Sequence, residues 1–252
     1  MNILVSKKSW MLAPAVFVAG YGFLVGVWAV MDPATLRANF DADGHSMVEL
    51  MTLPLFAAIA PLSWLCCPVG GSARRKAFWC FVFSFLAFMA LTRELDWHKQ
   101  WFAMIWPEIV ESFPGTVYKM KFLKCGAIPL VPKLFVAAIF AVFFAATVGP
   151  LLYFIRRLLK GLWKLHPVSW TMAAFGASSV GVLVFDRLPS FIRDKELLDP
   201  ALMDKKCGSV AALFTALEEG GEMMMAIFAL IAILQAHAIY SPDSPDSSFA
   251  DL

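Results

Sequence analysis

The sequence predicts an all-α fold: a polytopic integral membrane helix bundle with six transmembrane helices and both termini in the cytoplasm. Three observations predict it. Hydrophobic residues make up 60% of the 252-residue chain and mean hydropathy is +0.70, well above the apolar share of an ordinary soluble domain. Six apolar stretches are each about 20 residues long, enough to cross a hydrocarbon core of roughly 30 Å. Lysine and arginine, with no acid among them, fill every second connection, which orients the bundle.

Lys7 and Lys8 precede the first span, 10–31. That run is too long for the apolar core of a cleaved signal and reads as an uncleaved anchor. Gly20, Gly22 and Gly26 give it a stripe of small residues. The next spans are 47–67 and 77–96, joined by the basic Arg74-Arg75-Lys76. Pro129 and Pro132 favour a start for the fourth at 133, and it runs to 155. Arg156, Arg157, Lys160 and Lys164 separate it from the fifth, 168–186, and the sixth is 216–240. Pro54, Pro61 and Pro150 fall inside spans, where neighbouring helices can accommodate a kink. One transmembrane domain therefore covers 1–240, followed by a polar tail, 241–252, expected to be disordered.

Between spans three and four, the loop 97–132 interleaves Trp97, Trp101, Phe102 and Trp106 with Lys99, Glu108 and Glu111. This pattern suits a helix or hairpin lying in the headgroup layer, or an ordinary aromatic belt. Nine Trp and 23 Phe fit a surface facing membrane lipids, and a formal charge of +2 gives no reason to expect a nucleic-acid partner. The five cysteines have neither zinc-site nor CxxC spacing. Cys125 and Cys207 fall on the outer side, where they could join two outer loops in a disulfide.

Ionisable residues gather at one level. His45 and Glu49 open span two; Glu94, Asp96 and His98 close span three; Asp186 and Arg187 close span five; Glu218, Glu219 and Glu222 open span six. Each cluster lies about 20 residues, roughly 30 Å, from its basic boundary. His45 with Glu49, Glu94 with His98, and Glu218 with Glu222 are four apart and share a helix face. Carboxylates and imidazoles converging from separate helices are how bundles assemble metal sites. The expected ligand set is His45, Glu49, Glu94, His98 and Glu222 around a divalent metal ion of unknown identity. Glu222, about one turn below the surface, and Glu94 are the expected catalytic groups. Glu218 and Glu219 cannot face the same way, so one of them is expected to be solvated. A plainer reading has Arg93 and Arg187 neutralising the acids in a salt-bridge network that fixes helix register.

Neither a Gly-x-Ser-x-Gly elbow nor a His-Glu-x-x-His motif is present. The function expected is that of a metal-dependent hydrolase or transferase acting on a lipid or lipid-linked substrate, in the inner (cytoplasmic) membrane of a bacterium. The alternatives are a proton-coupled transporter and a non-catalytic scaffold that binds another membrane protein through its aromatic outer loop.

Overall fold

A computed structural model describes residues 8–40, 46–66, 72–95, 97–112, 120–204 and 208–240, with residues 4 and 6. His45, Asp96, Cys207 and the tail 241–252 lie outside the described residues, as does the Cys125–Cys207 bridge. Among the described residues there is no strand. Six helices are long and apolar enough to cross a membrane. They are α1 (Leu12–Val30), α3 (Met47–Cys66), α4 (Ala73–Glu94), α8 (Leu130–Trp163), α9 (Pro167–Asp194) and α10 (Ser209–Tyr240). Shorter helices lie between them: α2 (Pro33–Phe40), α5 (Trp97–Ile105), α6 (Pro107–Ser112) and α7 (Met120–Lys124). The six long apolar helices suggest a membrane protein. Arg74, Lys76, Arg156, Arg157 and Lys160 define its basic end, and the opposite end is the acidic one.

Four helices outrun the apolar stretches that announce them. α4 begins at Ala73 rather than 77, α8 continues to Trp163 rather than 155, α9 continues to Asp194 rather than 186, and α10 begins at Ser209 rather than 216. Hydropathy marks where the apolar core stops, whereas arginine, lysine, leucine and glutamate sustain a helix well beyond it. What stops α8 and α9 is local. Leu165 and Glu196 adopt left-handed backbone, with φ of 55° and 51°. His166 N–H donates to the Gly161 carbonyl at 2.8 Å and Leu197 N–H to the Ile192 carbonyl at 3.1 Å. Both endings are Schellman motifs built without glycine. Leu165→Gly should therefore raise stability by about 1 kcal/mol through relief of the left-handed strain, read as a higher unfolding temperature in detergent.

Starts are equally local. Asp32 Oδ1 accepts from the backbone N–H groups of Ala34 and Thr35 at 3.1 and 2.9 Å, capping α2, with Pro33 at its first position. Hydrogen bonds from Thr35 hold this carboxyl below its ordinary range. Ser46 and Glu49 form a reciprocal capping box for α3, each backbone N–H meeting the other's side chain at 3.1 Å.

α10 is the hub. Half of its apolar window is buried, against 6% for α8. α9, α3, α1 and α2 pack directly on it, while α4 packs on α3. Gly220 and Gly221 make the fit with α1 and α9: a Cβ on Gly220 would lie against the Leu24 side chain, and one on Gly221 would stand 2.8 Å from Val182 Cγ2 and 3.1 Å from the Tyr21 hydroxyl. α10 runs unbroken through both. The glycine pair thus permits close helix approach rather than an unwound turn. Gly22 and Gly26, by contrast, face open space.

Toward the basic end, Thr171 donates to Gln235 Oε1 at 2.6 Å, and both side chains are fully buried. Replacing Thr171 with Val leaves that carbonyl oxygen without its donor. The expected loss is about 1 kcal/mol, within the range for interhelical hydrogen bonds in membranes, measured by reversible unfolding.

Candidate metal centre at the acidic end

Two helices build the centre. α4 ends with Arg93 and Glu94, and α10 presents Glu219 and Glu222, three apart and so on neighbouring faces. One carboxylate oxygen from each of Glu94, Glu219 and Glu222 lies within 4.8 Å of the others. Glu222 is 4% exposed, while Glu94 and Glu219 are half-buried. Arg93 Nη2 stands 2.6 Å from Glu222 Oε1. The pair is lopsided: the Arg93 side chain is 59% exposed and that of Glu222 only 5%.

Among the described residues, no Cα of α4 comes within 8 Å of one in α10. Charged side chains, not backbone packing, bridge these helices at this level. Three carboxylates against one guanidinium leave two negative charges in a partly dehydrated space. Such a group needs a cation, or protons, to be stable there. Among the described residues the donor set consists of oxygens alone.

Sequence expectations meet the structure unevenly here. Glu94 and Glu222 do come together. Glu49 is near enough for its charge to act on Glu94 and Glu219, but Oε2 is occupied by the Ser46 backbone N–H and Glu49 is not one of the close three. The motif Ser-x-x-Glu before an apolar run is the signal that identifies this role. Ser46→Ala should cost about 1 kcal/mol of stability and leave cation binding unchanged, which separates the cap from the site. His45 and the His98 side chain fall outside the described residues, so the imidazole half of the expected set does too.

Glu219, absent from the expected ligand set, joins Glu94 and Glu222 in place of Glu218, which spacing pairs with Glu222. Glu219 and Glu218 flank Glu222 on the helical wheel, by about 60° and 40° respectively, and spacing alone favours Glu218. α10's rotation is fixed instead by Gly220 against Leu24 and Gly221 against Val182. That rotation brings Glu219 to Glu94.

Leu24 abuts Gly220, and α1 continues to Val30, about six residues or 9 Å further. Val182 abuts Gly221, and α9 continues to Asp194, about 18 Å further. The carboxylates therefore lie between one and two turns below the end of α1 and about three turns below the end of α9. α4 and α3 terminate at the site itself, so the rim of the bundle is uneven around it. Asp186, expected in the same layer, stands one turn above Val182, exposed and paired with its neighbour Arg187 at 3.1 Å.

Fold and site together define an all-helical bundle with six helices long and apolar enough to cross a membrane and a carboxylate cluster where α4 meets α10. No protein family, curated protein or solved structure matches the chain, so the reading of its function stands on these residues.

Proposed function

We propose that this protein is an integral membrane hydrolase or transferase that binds a divalent metal ion through Glu94, Glu219 and Glu222 and acts on a lipid or lipid-linked substrate. The convergence of these three carboxylates supports the reading. An oxygen-only donor set suits a hard ion such as Mg²⁺, Mn²⁺ or Ca²⁺. The imidazole-containing set expected from spacing would instead favour a transition metal. The alternation of basic connections favours a site on the non-cytoplasmic side.

A bound divalent ion would polarise an ester or phosphoryl oxygen and make a water more acidic. Glu222, buried and tied to Arg93, anchors the ligand set. Glu94 and Glu219 are more open to an incoming substrate. Glu94, at the helix end, would take a proton from an attacking water through the carboxylate oxygen it does not give to the ion. Arg93 offers guanidinium donors that would hold a phosphate or carboxylate of the substrate beside these acids.

The test is metal content and turnover together, on protein purified into lipid nanodiscs. The expected result is about one divalent ion per chain, with product released from labelled bilayer lipid, stopped by chelation and restored by Mg²⁺ or Mn²⁺. Protein that holds no stoichiometric ion at any concentration tried would overturn the proposal.

A further inference from the structure

α8 meets the rest of the bundle at its two ends and stands away from it between them. Toward the basic end, Tyr153 and Phe154 pack on Trp79 of α4 with ring centroids 5.8 and 5.0 Å apart. There too Gly161 lies against Ser169 of α9. Toward the acidic end, Val136 joins the buried cluster of Phe102, Ile109 and Phe122, and Phe135 packs on Trp106 at 5.5 Å. From Ala141 to Ala145 every residue is exposed. Consecutive residues turn about 100° each, so these five sample every direction around the helix. At this level, even the side of α8 that faces the bundle touches little.

The opposite wall is a stripe on α4. Trp79, Phe83, Leu86, Ala90 and Arg93 recur at a helical spacing and share a face. Trp79 is buried against α8; Phe83 and Leu86 are half-buried; Ala90, at the edge of the stripe, packs on the cluster of Phe56, Ala87 and Ala226; Arg93 is exposed and bonded to Glu222. The outcome is a window between α4 and α8. Aromatic rings close it at the basic end and α5 to α7 at the acidic end, and its upper corner carries the guanidinium. From Phe83 to Arg93 the stripe rises about 15 Å, half of a roughly 30 Å hydrocarbon core. That is the depth of one leaflet. Apolar walls at such depth exclude water, and acyl chains are the apolar molecules a bilayer supplies there.

We infer that the window between α4 and α8 takes one acyl chain of a phospholipid whose phosphate is held by Arg93, so that the lipid reaches the carboxylate centre sideways from the leaflet. This rests on the reading of that centre as acting on lipid, and it names the substrate class and its route. Arg93 suits the task because its planar guanidinium can bind Glu222 on one edge and phosphate oxygens with its other donors.

The experiment is native mass spectrometry of the full chain released from nanodiscs containing phosphatidylglycerol and diacylglycerol. Wild type should retain one phospholipid in preference to diacylglycerol by about ten-fold. Leu86→Trp, which fills the window below Arg93, should lower that occupancy about ten-fold while leaving metal content unchanged. Thr147→Trp, on the side of α8 that Val136 and Phe154 share, repeats the test should the first variant fold poorly. Arg93→Gln should keep a lipid but lose the preference for phosphate. Retention of no lipid by wild type, equal occupancy in both tryptophan variants, or a second copy of the chain cross-linked through α8 would overturn the inference. Lipid retained without metal would remove the metal centre and leave the window; metal without lipid would do the reverse.

Discussion

Glu222→Gln should lower divalent-cation affinity by about 100-fold or more, the largest effect expected of any single substitution. Loss of a group that merely orients a metal ligand costs roughly 10- to 100-fold, and Glu222 would be a ligand. The substitution keeps the side chain's shape and removes its charge. It also removes the buried partner of Arg93, but that guanidinium is 59% exposed and can return to water or headgroups at little cost. Folding without metal should therefore survive. What disappears is stabilisation by metal, which for wild type is about 2.7 kcal/mol at an ion concentration of about 100 times Kd. Melting curves with and without Mn²⁺ should separate for wild type and coincide for Glu222→Gln. Equal metal-induced shifts in the two proteins would remove Glu222 from the ligand set.

Gly221→Leu should be the most damaging substitution away from charge. A Cβ alone would stand 2.8 Å from Val182 and 3.1 Å from the Tyr21 hydroxyl, and a leucine adds three more carbons to a junction of three helices. Overpacking of this kind costs about 1–3 kcal/mol, and at the hub helix the upper end is expected. The same leucine at Gly22, which faces open space, should change stability by no more than about 0.5 kcal/mol. Thermal unfolding of the two variants in detergent makes the comparison. If the Gly22 variant is destabilised as much as the Gly221 variant, the packing of α1 and α9 on α10 described above is wrong.

Much of the fold is legible in the sequence because one signal, a long apolar run, suffices to mark a helix of this kind. All six spans are visible that way, with 47–67 nearly coincident with Met47–Cys66. The ends are less visible. Arg156 and Arg157 end an apolar run but not a helix, and the left-handed turns at Leu165 and Glu196 carry no glycine to announce them. Which faces meet is harder still. Spacing puts Glu218 and Glu222 on one face and allows Glu219 as a near neighbour. Only the rotation of α10, set by glycines packing against Leu24 and Val182, selects Glu219. The spacing of Glu49 from His45 suggests a ligand, although Ser46-x-x-Glu49 is also a capping box and forms one. Level can be counted along a helix; partnership across helices cannot.

The central claim is that Glu94, Glu219 and Glu222 hold one divalent ion between α4 and α10. Its most direct test is electron paramagnetic resonance during a Mn²⁺ titration of the full chain in nanodiscs, with each glutamate replaced in turn by glutamine. One immobilised Mn²⁺ per wild-type chain is expected, with a marked loss of that signal in all three variants and none in Glu218→Gln. A wild-type signal that never departs from that of free Mn²⁺, or one that all three variants retain, would contradict it.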